Sequence, residues 1–308
     1  MPFDSSATVP SPAEAPPDPA RLTHAYDRTV PSPSDGPAPA RSDAERVYVA
    51  VTAAIVVLPF LAFLAFPPLG AAGWWLWGSL IHPADIVLAL VLYAVTGLGV
   101  TIGFHRGLTH GGHRTVRPGD PPSPYRYGTQ LRGQLRGLLD AHVGRLFRNG
   151  PTPAERYAPD LPADRDIRAV ARAFPALCVL TLALPFAIGW AIGGTWVRAL
   201  TAALWAGLVR IALLHHVTWS VNSRCHVLGK RPFRTRRHDR ATNLWPLALL
   251  SFGESRHNLH HADPTSARHG VDRGQIDPSA AANRLLERLG WVHDVRRPTS
   301  DRLSGRRA

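Results

Sequence analysis

The chain has 308 residues and a formal net charge of +13, carried by 34 arginines and a single lysine, Lys230. The length suits a large core or a membrane bundle, and the arginines lie between long apolar runs instead of filling a basic, aromatic-dotted domain, which argues against nucleic-acid binding. Two cysteines, Cys178 and Cys225, give neither a disulfide framework nor a cysteine-based zinc site.

Residues 1–45 read as a disordered tail. Ten prolines fall in the first 44 positions, with no apolar periodicity and too little hydrophobic mass for a core. The first apolar run starts only near Val47, so the tail does not read as a signal peptide. Four long apolar runs follow, at about 47–66, 86–104, 174–197 and 199–217. Roughly twenty apolar residues cross a bilayer as a helix. Pro67-Pro68 is expected to stop the first, and Trp74, Trp75 and Trp77 read as an interfacial belt. The second ends directly at His105. The third contains Pro175 and Pro185. Arg210 interrupts the fourth, and an arginine inside a span faces the bundle or a polar cavity.

Lysine and arginine are absent from the 67–85 loop and from the turn at Gly193-Gly194, and frequent in 1–46, 105–172 and 224–308. The positive-inside rule therefore predicts cytoplasmic termini and a cytoplasmic central loop. In that loop, Leu131, Leu135, Leu138, Leu139, His142 and Leu146 recur at helical spacing, suiting a helix on a membrane surface or against a cytosolic domain. Asp277-Pro278 reads as a helix start and Gly290 as its stop, with Ile276, Leu285, Leu286 and Leu289 facing inward. Residues 46–296 thus form one membrane domain, and 297–308 a polar tail expected to fray.

Histidines cluster at the predicted cytoplasmic ends of the spans. His105 and His110 follow the second. On an α-helix five residues is about 140° of rotation, so their rings serve two metals, or one if the helix ends between them. His215, His216, Asn222 and His226 close the fourth, with Asn222 and His226 at i, i+4. His257, His260 and His261 share one face if helical. Many imidazoles and no thiolates suit iron, copper or zinc. A metal against a membrane points to oxidative chemistry on a lipid chain, because an unactivated C–H bond needs a strong metal-based oxidant. The sequence lacks the two Glu-x-x-His motifs on facing helices that soluble carboxylate-bridged di-iron bundles need. A haem cytochrome needs facing histidines inside the spans, not a cluster at one end.

The sequences HRGLTH at 105–110, NSRCH at 222–226 and GESRHNLHH at 253–261 resemble the first and last histidine boxes of the membrane acyl-CoA (stearoyl-CoA type) fatty acid desaturases, with the bacterial branch most similar. LLHHVTWSVNS at 213–223, DAHVG at 140–144 and PAERYAPDL at 153–161 are similar as well, so the resemblance runs over about 47–296. It implies an all-α integral membrane fold of four transmembrane helices, with a cytosolic helical cap carrying a His-rich site for two irons. On the resemblance, His105, His110, His226, His257, His260 and His261 match iron ligands, and Asn222 matches a position that reaches metal through water. The implied reaction is O2-dependent insertion of a double bond into an acyl-CoA or other acyl thioester. Electrons would come from a ferredoxin or cytochrome b5-like donor with its reductase, in a bacterial cytoplasmic membrane.

The resemblance has a gap. The family's middle box, HRxHH, is missing. After His110 the chain reads GGHRTVRPGDPPSPYRYG, whose left part continues the first box and whose right part follows the second. A deletion between them would remove up to three ligands and their helix; the alternative is that His113-Arg114 begins a truncated second box. Pro122, Arg145 and Arg256 also stand where the family has His, Trp and Trp. His113, His142 and His215 are the available substitutes. The alternative function is a degenerate, inactive homologue that binds acyl chains or has lost its metal site.

Overall fold

The computed structural model describes residues 42–77, 81–109, 127, 130–148, 159–236 and 239–308, with the side chains at 44, 66–77, 108–109 and 148 left out. The N-terminal tail, His110, His113, the gap region and the tryptophan belt's side chains therefore lie outside the described residues. Regular structure among them is helical, with isolated bridges only and no strand.

Helix α1 is Asp43–Trp77, α2 is Pro83–Leu98, α3 is Leu131–Leu139 and α4 is Arg165–Gly193. The last span is built from α5, Trp196–Ala202, a π-helical stretch Ala203–Val209, and α6, Arg210–Asn222. Four helical stretches are long and apolar enough to cross a membrane: Glu45–Ala65, Pro83–Gly107, Arg165–Gly193 and Trp196–His226. Their starts are written locally. Pro83 occupies the first turn of α2 behind the capping His82. The Asp164 carboxylate accepts from the N–H groups of Asp166 and Ile167 at the start of α4.

Several boundaries differ from the sequence expectation: the third span starts earlier, at Arg165, the fourth runs on to His226, and two further ends shift for a local reason. The first helix does not stop at Pro67-Pro68 but runs on to Trp77. Proline removes one ladder hydrogen bond without forbidding continuation where neighbouring turns hold the helix. The third span ends at Gly193 and not near 197, because Gly194 takes the left-handed conformation (φ 61°) and Thr195 caps the next helix.

Burial is inverted relative to a water-soluble bundle. Val51, Leu58, Leu61, Leu90, Val95 and Val179 point outward, whereas Asp85, Thr101, Thr201 and Arg210 are buried. That is how a lipid-facing bundle distributes polarity. Asp85 takes a two-pronged ion pair from Arg198, with both N–O distances 2.9 Å. Arg210 does face the bundle. It donates to the Ala206 carbonyl at 2.9 Å, to Thr96 Oγ1 at 3.3 Å and to Thr181 Oγ1 at 2.7 Å, so one guanidinium ties three spans.

Helices α4 and α5 approach closely at Gly189. A Cβ there would lie 2.5 Å from Ala202 Cβ and 2.6 Å from the Arg198 carbonyl oxygen, the close backbone approach that small residues permit between membrane helices. Gly189→Ala is expected to cost about 1–3 kcal/mol by overpacking, read as a lower thermal midpoint in detergent. Gly99→Ala, whose Cβ would meet nothing within 4 Å, is the control; equal midpoints for the two variants would remove the argument.

Residues 223–236 and 239–308 pack as a cap on one end of the bundle. They hold α7, His257–Ala262, α8, Pro278–Arg288, and α9, Ser300–Ser304. Tyr93 donates to the Leu250 carbonyl at 2.7 Å, and the Thr101 and Ser279 hydroxyls are 2.7 Å apart. Asp277 caps α8 by accepting from Ala280 N–H at 3.0 Å, as its sequence predicts. The buried face of α8 is different from the expected one. Ser279, Ala280 and Asn283 are inside, while Ile276, Leu285 and Leu289 are about half exposed. Small side chains let α8 sit close to the π-helical end of α2, and the leucines turn away. Nor does the C-terminal tail fray. Arg302 donates to Asp263 at 2.7 Å, and the Ala308 N–H donates to the Pro232 carbonyl at 2.9 Å.

Candidate metal centre

Helix α7 carries three histidines, and its placement is fixed from both ends. Before it, Phe252 (φ 52°) and Gly253 (φ 94°) make a left-handed turn. A Cβ on Gly253 would fall 2.4 Å from Asp277 Oδ1, so glycine is required by conformation and by space. Inside α7, Asn258 is fully buried. Its Oδ1 accepts from Phe233 N–H at 2.7 Å, and its amide donates to the Phe233 and Ala241 carbonyls at 3.1 and 3.0 Å. Every polar atom of that side chain is used to pin the helix to the loop before it.

His257 and His261, one turn apart, meet His226 from the end of the last span. The ring centroids are 5.0 Å apart for His226 and His257, 5.1 Å for His226 and His261, and 4.4 Å for His257 and His261. One ligand nitrogen from each lies within 4.8 Å of the others. His261 Nδ1 is 2.6 Å from Asp239 Oδ2, so the Nδ1–H donates to the carboxylate and leaves the Nε2 lone pair facing His257, 3.0 Å away. Asp239 is held below the usual carboxylate range: burial pushes it up, but His261 and the Ala241 N–H outweigh this. His257 is pushed well below the ordinary imidazole value, by burial first and then by His261, His226, His105 and His269. It is therefore neutral, with a lone pair available, and its buried Nδ1 has no hydrogen-bond partner among the described residues.

A second cluster adjoins the first. His105 and His260 have ring centroids 4.6 Å apart, and His260 stacks on His257 at 5.5 Å. His105 Nδ1 is 2.6 Å from Glu254 Oε2. His269 joins them from the loop after α7, with centroids 4.9 Å from His260 and 6.3 Å from His105. Its pKa is lowered to about 3, chiefly by burial and then by Arg106. Beneath lies an ion network of Arg106, Glu254 and Asp277, each with a side chain 7% exposed or less. Its net charge of one negative favours a cation above it. Burial raises Glu254, but His269, Arg106 and His105 together hold it below the usual carboxylate range.

The structure thus brings five of the seven sequence-predicted site residues, His105, His226, His257, His260 and His261, into two adjoining clusters. Asn222 is the half-buried last residue of α6, just before the short helix that carries His226. His110 is outside the described residues. The α-helical spacing used for His105 and His110 does not apply up to Thr109, since Gly99–Thr109 is π-helical, a form frequent at functional sites. Two of the available substitutes, His142 and His215, have other partners. His142 bonds Ser223 Oγ at 2.9 Å and His216 Nδ1 at 3.0 Å, and its pKa is lowered to about 4, chiefly by burial. His215 stacks on Trp219 at 5.0 Å. Sequence reasoning missed His269, Asp239 and the Arg106 network. Each is a lone polar residue without periodicity, and only the acidic residue three before the first histidine of the last box, Glu254 before His257, hints at a partner.

The donors fit a metal such as iron. Nitrogen atoms converge, burial keeps the shifted imidazoles neutral, the buried Nδ1 of His257 is left unused among the described residues, and Asp239 fixes the tautomer that presents Nε2. Asp239→Asn is expected to weaken metal affinity by about 10–100-fold, the usual effect of losing a carboxylate behind a ligating histidine. A chelator-competition titration measures it, and an unchanged affinity would mean that Asp239 does not orient His261 toward metal.

The fatty acid desaturase family model matches residues 80–274, which include both clusters. The chain is 31% identical over 286 residues to a hex-5-enoyl-acyl-carrier-protein acetylenase of Moorena producens, covering 80% of this chain and 88% of that protein. An acyl-CoA C20 Delta5-desaturase of Anemone leveillei is 33% identical, covering 69% of this chain and 74% of the relative. An sn-1 stearoyl-lipid 9-desaturase of Anabaena variabilis is 30% identical, with coverage of 69% and 84%. A histidine-lined site at one end of four membrane-spanning helices, matched over most of its length by these proteins, places this chain in the fatty acid desaturase family.

Proposed function

We infer that this chain inserts a double bond into the acyl chain of a thioester substrate, acyl-CoA or acyl-carrier protein, at a di-iron site. The observation that carries the reading is the convergence of His226, His257 and His261 on one point beside a second histidine cluster. His105, His110, His226, His257, His260 and His261 would hold the irons, with Asn222 reaching one through water. The irons would supply the oxidising power that amino-acid side chains lack. Overall, the substrate loses two hydrogens, and O2 becomes two waters by taking these with two electrons and two protons. A ferredoxin or cytochrome b5-like protein with its reductase is the donor class that suits a one-electron metal centre.

The chain's own residues bind and orient. Asp239 and Glu254 hold His261 and His105 by their Nδ1 atoms. A largely apolar cavity of about 330 Å³, lined by Phe60, Phe63, Val217, Leu247 and Leu250, suits a stretch of acyl chain. His142, His216 and Arg224 edge the same cavity and suit the polar thioester end. The arginine distribution supports a cytoplasmic site in a bacterial membrane.

The test is expression in a bacterial host with metal analysis and fatty-acid profiling. Iron near two per chain and new double bonds in the acyl pool are expected. Folded protein without iron, and an unchanged acyl profile, would favour the inactive alternative.

A further inference from the structure

His269 is 1% exposed, belongs to none of the boxes, and has a role that the foregoing reading leaves open. Its Nδ1 lies 3.3 Å from Arg106 Nη2. A guanidinium only donates, so Nδ1 must be the accepting nitrogen, and the ring proton sits on Nε2. That Nε2–H is buried and finds no hydrogen-bond partner among the described residues. A buried donor left unpaired costs about 1–3 kcal/mol, which calls for an acceptor that arrives from elsewhere. Arg106 and Glu254 are at the Nδ1 edge, the Glu254 oxygen 3.7 Å away. The ring itself is packed against His260 and His105.

The tautomer also argues against the simplest role. A ring whose Nε2 carries the proton offers no lone pair there to a metal, and its Nδ1 lone pair is occupied by Arg106. Resting on the di-iron reading, we propose that His269 is not an iron ligand but a positioning residue, whose Nε2–H donates to a small anionic or oxygen-donor molecule bound at the centre beside His260 and His105. Arg106 fixes that tautomer, and Asp277 holds the backbone by accepting from His269 N–H at 2.7 Å and Gly270 N–H at 3.0 Å.

Azide is the probe, added to the iron-loaded full chain in detergent. His269→Leu is expected to keep the wild-type iron content while weakening azide binding about tenfold, the effect of losing one hydrogen bond to a charged acceptor. His269→Gln, which places an N–H near the Nε2 position, is expected to recover affinity to within about threefold of wild type. If His269→Leu is not recovered folded, His269→Asn, too short to place an N–H there, replaces it. Loss of iron from the variants would make His269 a ligand and overturn the proposal. Equal azide affinity in all variants would leave it a packing residue and also overturn it. Absence of iron from the wild-type protein would instead sink the di-iron reading itself, and this inference with it.

Discussion

His257→Ala is expected to lower acyl desaturation by more than about 100-fold and to remove iron from the chain, since loss of an outer partner alone costs 10–100-fold. His257 is the residue that both clusters share. It faces His226 and His261 at ring separations of 5.0 and 4.4 Å, and stacks on His260 at 5.5 Å. Burial and four neighbouring histidines keep it neutral, as a ligand must be. The substitution also leaves a hole the size of an imidazole, so added imidazole is expected to restore part of the iron content. That rescue separates loss of a ligand from loss of fold. His293→Ala, at an exposed site, is the control and should change neither measurement. A folded His257→Ala protein with full iron and full desaturation would remove this residue from the site.

The membrane architecture is legible in the sequence because apolar length is a local property. Four runs long enough for a bilayer remain four spans, and Arg210 faces inward as a charge in a span must. Helix ends are legible where a single residue writes them, as the Asp277 carboxylate does at the start of α8 and the left-handed backbone of Gly290 just past its end. What fails is whatever depends on a distant neighbour. The leucines of α8 look like a core face until Ser279 meets Thr101, which lies 178 positions earlier. Pro67-Pro68 looks like a stop, because local rules do not know what holds the following turns.

The same division runs through the site. The histidine boxes are patterns of close spacing, and those of their histidines that are described, His105, His226, His257, His260 and His261, lie together. His269 and Asp239 are single letters with no pattern around them, and each matters through a partner far along the chain. Arg106 is the extreme case. It sits inside the first box beside His105, where a reader counting imidazoles passes over it, yet its partners are 148 to 171 positions away.

Arg106→Met is expected to destabilise the folded protein by about 3–5 kcal/mol, the typical result of stripping one partner from a buried charge network. Its guanidinium donates to Glu254 Oε1 at 2.8 Å, to Asp277 Oδ1 at 3.1 Å and to the Ala267 carbonyl at 2.7 Å, besides the contact with His269. Without it, two carboxylates remain side by side in a dry interior with no strong counter-charge. The effect should spread, because Glu254 sets His105 and Asp277 both caps α8 and holds the backbone of His269. Loss of iron is therefore expected along with a lower thermal midpoint in detergent. Methionine fills much of the volume of arginine's stem, so packing is largely kept and charge is what changes. The double variant Arg106→Met with Glu254→Gln separates the two. If uncompensated charge is the cause, removing one carboxylate recovers part of the midpoint, even though a second native side chain has been altered. If the double variant is less stable than the single by the full cost of another core substitution, Arg106 acts by packing and the electrostatic account fails.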